Sequence, residues 1–520
     1  MTGTLPAPPP PPPDSAGTRP VRHATSAGVV LASVVGVEIV SGSLQSFLTP
    51  LFHALSETLD VTAAQLNWVS IANLLSSAVF APVLSRMGDL YGHRRILRWN
   101  LAIILFGSLL VALARDFEVL LVGQVLQGAL SGLFPLLVGI VRNHGGEAEN
   151  RRGIGLMVAS IGVGSGLGLV GSGLVAEYAD SPTSALWVPV AAVAVAIAIA
   201  QFALPETTER PGGRVDWAGG LLIAAGLVGV LLALSQGQTW GWISGRTLGY
   251  GLGGLVLLAA FTAVELRHPE PMVNVRMFAR GRVLLISVIA LLFSFVFFSL
   301  TVPGAIFSSL PNEVSGFGLG LGSLAISFAA LPAVLGMAAG AMVGPALAQR
   351  GGDRTMLVTG ALLMTTGYGL TAMAHNRLVP YLLFGALAGI GIGLLQQGTR
   401  TIAVEAVSAD ETAVGSGINE LMITVGGSLG AATVGAIMTA HTEPGTLFPK
   451  EAGFTNSWWL AAGVSLLAAL VACLYRPQPT AGPAAPATGG QPRPDPRPFP
   501  DTAATTAAAV VRTDSKGPLK

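Results

Sequence analysis

An all-α polytopic membrane protein is the fold class this sequence predicts, and three observations predict it. Hydrophobic residues make up 51% of the 520 and charged residues only 11%, where a soluble chain carries about a quarter charged residues. So few charges cannot solvate a compact particle of this size, which excludes an ordinary cytosolic enzyme, and the mean hydropathy of +0.65 agrees. Apolar runs of the length that crosses a bilayer, about 20 residues, recur along the chain. The cations between those runs fall on alternate sides.

Fourteen runs qualify: 27–48, 63–85, 99–114, 117–141, 153–176, 185–204, 217–235, 247–264, 283–303, 322–345, 355–373, 378–399, 413–439 and 456–474. Only Arg115-Asp116 divides 99–114 from 117–141, which reads as a tight hairpin. Arginine and lysine concentrate in cytoplasmic loops. With the N-terminus inside, sixteen of the 28 cations fall on the inner side: Arg86, Arg94, Arg95, Arg98, Arg142, Arg151, Arg152, Arg210, Arg214, Arg267, Arg276, Arg280, Arg282, Arg350, Arg354 and Arg400. Four fall outside: Arg115, Arg246, Arg377 and Lys450. This predicts a multi-pass protein of the cell membrane with both termini in the cytoplasm. Twelve crossings would satisfy the same parity, but 217–235 and 247–264 are each long and uncharged and favour fourteen. Trp68, Trp187, Trp217, Trp458 and Trp459 stand at run ends, where amphipathic rings prefer the interface.

The implied organisation has five parts. Residues 1–25, with an unbroken Pro8–Pro13 stretch, and 476–520, rich in Pro, Ala, Thr and Gly, cannot bury a core and are expected to be disordered tails. Residues 26–204 and 283–475 would each form a six-helix bundle, and 205–282 a linker carrying two extra spans. A net charge of +1 gives no electrostatic case for nucleic acid. The single Cys473 allows no intrachain disulfide. His93 and His144 have no neighbouring ligands in sequence, so no metal site is expected, and no phosphate-loop motif occurs. No cofactor is expected.

The segment after the second run reads Ser85-Arg86-Met87-Gly88-Asp89-Leu90-Tyr91-Gly92-His93-Arg94-Arg95. Gly92 permits a tight turn, Asp89 suits a helix N-terminus or a cation, and Arg94 and Arg95 anchor the inner side. A decayed copy follows the tenth run, with Gly344, Arg350-Gly351 and Ala348 at the acidic position. Arg214-Val215-Asp216-Trp217-Ala218-Gly219, Pro271-Met272-Val273-Asn274-Val275-Arg276-Met277-Phe278, and the glycines Gly155, Gly164, Gly168 and Gly173 complete the set. Together these resemble the major facilitator pattern G-x-L-a-D-r-x-G-x-R-R, the D-W-x-G and P-L-l-d-l-r-L-F segments, and the glycine-rich fifth span of the fourteen-span drug/proton antiporters. The resemblance covers residues 26–475. It implies two six-helix bundles around a central cavity that rocks between inward and outward access, and efflux of drugs or metabolites against protons. The expected working unit is a monomer with a small-molecule substrate, protons and the lipid bilayer as its partners.

Four residues depart from the family. Gln124 stands where the fourth span usually carries arginine, Ser41 where the first usually carries aspartate, Leu169 where the fifth carries proline, and Ser85 where the gating segment opens with glycine. Glu38 lies one turn before Ser41 on the same helical face, so the acid of the first span has moved by one turn. A central acidic residue costs about 2.5–3.5 kcal/mol to insert and is functional by default. It serves as a proton carrier, or it is a neutral packing group bonded to a neighbouring helix. Glu420, beside Asn419, is the second proton-coupling candidate, unless it lies near the interface. Arg400 and Glu405 are expected to form an interfacial ion pair. Gln45, Gln124, Gln127 and Asn419 are candidates for the substrate cavity; Asn73, Gln396 and Gln397 share their polarity, and such amides also serve as interhelical glue. Phe293, Phe295, Phe297 and Phe298 point in all directions around one helix and read as packing or lipid-facing residues. The fifth-span glycines allow close helix approach. Two further readings stay open: an uptake carrier or facilitator for a small organic solute, and a non-transporting membrane sensor.

Overall fold

A computed structural model describes residues 27–48, 51, 63–142, 147–178, 182–205, 216–267, 281–407, 412–442 and 449–476. Both tails, His144 and the Pro271–Phe278 segment lie outside the described residues. Every element of more than a few residues is a helix: α1 (Ala27–Phe47), α2 (Ala63–Tyr91), α3 (His93–Leu113), α4 (Phe117–Gln127), α5 (Leu133–Arg142), α6 (Glu147–Tyr178), α7 (Trp187–Phe202), α8 (Trp217–Trp240), α9 (Gly245–Glu265), α10 (Gly281–Ser299), α11 (Thr301–Ser309), α12 (Ser323–Met373), α13 (Leu378–Glu405), α14 (Thr412–Ala440) and α15 (Glu451–Cys473). Among the described residues twelve helical segments are long and apolar enough to cross a membrane, and the shorter apolar α7 is a thirteenth.

Local chemistry explains the boundaries. Gly92 adopts φ 99°, open to glycine without a Cβ penalty, and separates α2 from α3. The Ser85–Arg95 segment is therefore helical on both sides of one residue, with the tight turn at Gly92. Asp116 caps α4 by accepting from Val119 N–H, closing the hairpin expected at Arg115-Asp116. Asp216 caps α8 in the same way through Gly219 N–H. The run 117–141 is one crossing in three pieces, since a 3₁₀ turn at Gly128–Gly132 joins α4 to α5. At 1.5 Å per residue α12 would be about 75 Å long, more than twice the hydrocarbon thickness of about 30 Å. It breaks at Gly352 (φ 80°, ψ 162°), between the two predicted runs 322–345 and 355–373.

The described residues form one compact unit with two main hydrophobic cores. One is built from the first half of the chain around Val34, Leu97, Leu133, Met157 and Ala196, and it also takes in Ala338, Ala341 and Val404. The other comes from the second half around Ile289, Phe293, Leu357, Leu395 and Trp458. Trp458, expected at the interface, is buried: it packs 5.0 Å from Phe307 at the centre of a cluster with Phe317, His375, Tyr381 and Phe454. Phe293 is fully buried, whereas Phe298 is 42% exposed. The pair α8–α9 packs through α8 on both α2 and α14, where Ile223, Leu227 and Leu231 meet Ala78 and Ile418.

Glycine lets these helices meet backbone to backbone. A Cβ at Gly164 or Gly168 of α6 would collide with the Ile39 or Ser43 carbonyl of α1. Gly155 and Gly173 face the other way, against Pro345 and Ser327 of α12, so the four expected glycines serve two seams. The second half repeats the device: Gly426 and Gly430 of α14 seat the Leu291 and Phe295 carbonyls of α10. Overpacking a filled interface costs about 1–3 kcal/mol, so Gly164→Val should lower the thermal midpoint of the purified protein. Gly171→Ala, with nothing near its Cβ, should leave that midpoint unchanged or raised in the same assay.

Candidate functional site

The site is built from Glu38 on α1, Phe134 on α5, Arg400 on α13 and Glu420 on α14. Glu38 is the twelfth residue of the 21-residue α1, fully buried, and neither carboxyl oxygen has a hydrogen-bond partner among the described residues. Backbone contact with α6 at Ile39 and Ser43 fixes its helix, and Val34 and Val37 embed it in the first core. The charges whose fields reach it are those of Arg400 and Glu420.

Arg400 is 4% exposed. Its Nε donates to Glu420 Oε1 at 2.6 Å and its Nη2 to Glu420 Oε2 at 3.1 Å, a bidentate pair. Its Nη1 is buried with no partner among the described residues. The face of the guanidinium lies 4.5 Å from the Phe134 ring centroid. Phe134 belongs to α5, so a cation from the second half of the chain rests on an aromatic ring from the first. This corrects the expected Arg400–Glu405 pair: those residues are separated by more than one helical turn, while Glu420 sits directly across on α14. Arg400 is thus a buried helix residue and not a loop cation. Glu405 instead binds Arg151 Nε at 2.6 Å.

The other predicted site residues separate into groups. Gln124 Nε2 donates to Gln127 Oε1 (2.9 Å), and Gln127 Nε2 to Ser108 Oγ of α3 (3.1 Å); both side chains serve as glue within the first half. Gln45 is exposed and bonds Ser41, one turn back. None of the three bonds the Glu38–Arg400–Glu420 cluster. Asn419 is 2% exposed, with both side-chain polar atoms unpartnered among the described residues. It lines a small cleft with Ile286, Ser287, Ile402 and Ile418.

One end of the bundle is tied across the two halves. Asp89 accepts from Val414 N–H at 3.0 Å, capping α14 from α2, and its other oxygen meets the His93 ring at 3.0 Å. An acid at a helix N-terminus satisfies free amides and complements the dipole. Arg142 caps the C-terminal end of α13 through the Val404 (2.8 Å) and Val407 (3.2 Å) carbonyls. Arg151 bridges Asp353 at 2.7 Å and Glu405 at 2.6 Å. Asp353 stands five residues past Ala348, just after the Gly352 break. Ser85 packs on Gly417, which supplies the space that the first glycine of the pattern would have left. Arg94 donates to the Ala200 carbonyl of α7, whereas Arg95 is exposed.

Ionisable residues buried inside a bundle of membrane-length helices mark functional sites. The family model for the major facilitator superfamily matches residues 34–336 and 304–513, and the chain belongs to that superfamily of membrane transporters for small molecules. It is 27% identical over 436 residues, 81% of this chain and 77% of the relative, to the tetracenomycin C resistance and export protein of Streptomyces glaucescens. It is 26% identical over 452 residues, 82% of this chain and 91% of the relative, to the uridine/deoxyuridine transporter of Lactococcus lactis. Its fold matches the human organic anion transporter MFSD10 with a TM-score of 0.65 at 15% identity, over 86% of this chain and 99% of that one.

Removing one partner of a buried ion pair strands the other charge and costs about 3–5 kcal/mol. Glu420→Gln should therefore lower the stability of the purified protein sharply in denaturant unfolding. The double change Arg400→Gln with Glu420→Gln should recover most of that loss.

Proposed function

We propose that the chain is a proton-driven exporter of drugs, antibiotics or other amphipathic organic compounds across the cytoplasmic membrane. It would cross the bilayer fourteen times, the helix α12 counting twice and α7 once. Both termini and the Asp89–Arg142–Arg151 end would face the cytoplasm. The two halves, residues 26–204 and 283–475, would rock against each other with α8–α9 inserted between them.

One observation carries this reading: Glu38 is buried at the middle of a crossing helix with neither carboxyl oxygen hydrogen-bonded. A bare carboxylate removed from water is costly unless something compensates it, and a proton or a cationic ligand does so equally well in kind. Competition of the two for one acid is what antiport requires. In the proposed cycle Glu38 takes a proton from outside, the halves rock, and the proton leaves inside as the organic compound takes its place. The cross-half ties at the Asp89 end hold that face shut while the other exchanges its cargo. The tetracenomycin C relative supports export. The uridine relative supports a second reading, uptake of a small polar solute by the same fold.

Ethidium movement in everted vesicles under an imposed proton gradient tests the assignment. Wild type should accumulate the dye uphill, and Glu38→Gln should reduce that accumulation by about tenfold or more, the scale of a lost coupling between sites. Movement only down the dye's own gradient, insensitive to the substitution, would favour the facilitator.

A further inference from the structure

We propose that Arg400 is the positioning cation of the coupling site, shared between the two halves: Glu420 holds it while Glu38 is occupied, and it turns its free nitrogen to Glu38 when Glu38 is emptied. The inference rests on the proposed role of Glu38 and assigns the partner that role requires. Gln124 bonds Gln127 and takes no part in this cluster.

Three observations support the exchange. Arg400 has a spare buried donor: Nε and Nη2 engage Glu420, and Nη1 engages nothing among the described residues. Glu38 has two spare buried acceptors. The surroundings join the two, because Val404, one turn from Arg400, belongs to the same core cluster as Val34 and Val37 beside Glu38, and Phe134 of that cluster carries the guanidinium on its face. Among the described residues, the helices packed on α1 place no other cation near their middle. Of the helices packed on α1, namely α5, α6 and α7, the last has no charged residue, and the charges of the others (Arg142; Glu147, Glu149, Arg151, Arg152 and Glu177) lie in their terminal turns.

The cluster thus holds two carboxyls and one guanidinium. With Glu38 protonated, Arg400 and Glu420 form a closed neutral pair. When the Glu38 proton passes to water on the exit side, an uncompensated negative charge remains, and Arg400 is the cation placed to answer it. Because Arg400 and Glu420 sit on α13 and α14, while Glu38 and Phe134 sit on α1 and α5, that step transmits a charge change in the first half to two helices of the second. Those are the helices whose facing ends are clamped by Arg142 and Asp89.

The test uses the full-length protein in proteoliposomes, with ethidium as probe and a pH-sensitive dye in the lumen. Arg400→Gln combined with Glu420→Gln removes the pair without stranding a charge. The expected result is a folded protein whose uphill ethidium accumulation and ethidium-driven proton movement both fall about tenfold or more, while downhill ethidium exchange persists. A purely structural pair would leave proton movement at the wild-type level, and that result overturns the proposal. Should the amide pair fail to fold, Arg400→Met with Glu420→Leu, apolar replacements of similar volume, is judged by the same two outcomes. Glu38→Gln run alongside separates the two readings. If it uncouples transport while the double variants stay coupled, Arg400 loses its role and Glu38 keeps its own. If Glu38→Gln stays coupled, the proton-carrier assignment falls.

Discussion

A carboxyl group taken entirely out of water must be neutralised by something, and among the described residues the cation that acts on Glu38 is Arg400, already bonded to another acid. Much of the surrounding design follows from that requirement. The first core and the glycine contact with α6 hold Glu38 in place on α1. Phe134 supports the guanidinium from the same half of the chain, and α13 and α14 bring Arg400 and Glu420 to it from the other. A buried ion pair contributes little stability over a well-packed apolar replacement. Its persistence here is better understood through what its one unused nitrogen can reach than through what it adds to folding.

The second constraint lies at the end of the bundle, where helix termini must find partners. The C-terminal end of α13 presents free carbonyls and the N-terminal end of α14 free amides. Arg142 answers the carbonyls and Asp89 the amides, each from the first half of the chain. The contact therefore reports the relative placement of the halves, and it breaks when they separate. Arg151 adds a third tie to Asp353 and Glu405. Charge at one end and the buried Arg400–Glu420 pair thus act on the same two helices.

Much of this was legible in the sequence, and the exceptions have physical causes. Long apolar runs and the placement of arginines located the helices, because hydrocarbon tolerates little else. Asp89 as a helix cap and Glu38 as a buried acid followed from residue type and position. The partner of Arg400 did not, since a residue five positions along the same helix was nearer in sequence than the Glu420 that faces it across a helix pair. Arg400 itself was counted with the loop cations because it lies close to a helix end, and depth is set by packing that a linear pattern does not show. Gly426 and Gly430 repeat the Gly164–Gly168 device without repeating its sequence context, and nothing in the linear pattern pairs Asp353 with Arg151, 202 residues away. Trp458 sat at a run end and still went inward, drawn by the aromatic cluster around Phe307.

The measurement closest to the central claim is proton release on ligand binding, made with purified wild-type protein in weakly buffered detergent solution as ethidium is added. If one buried acid serves proton and ligand in turn, a proton should appear in solution for each dye bound. Ethidium that binds with full occupancy and releases no proton would contradict the account.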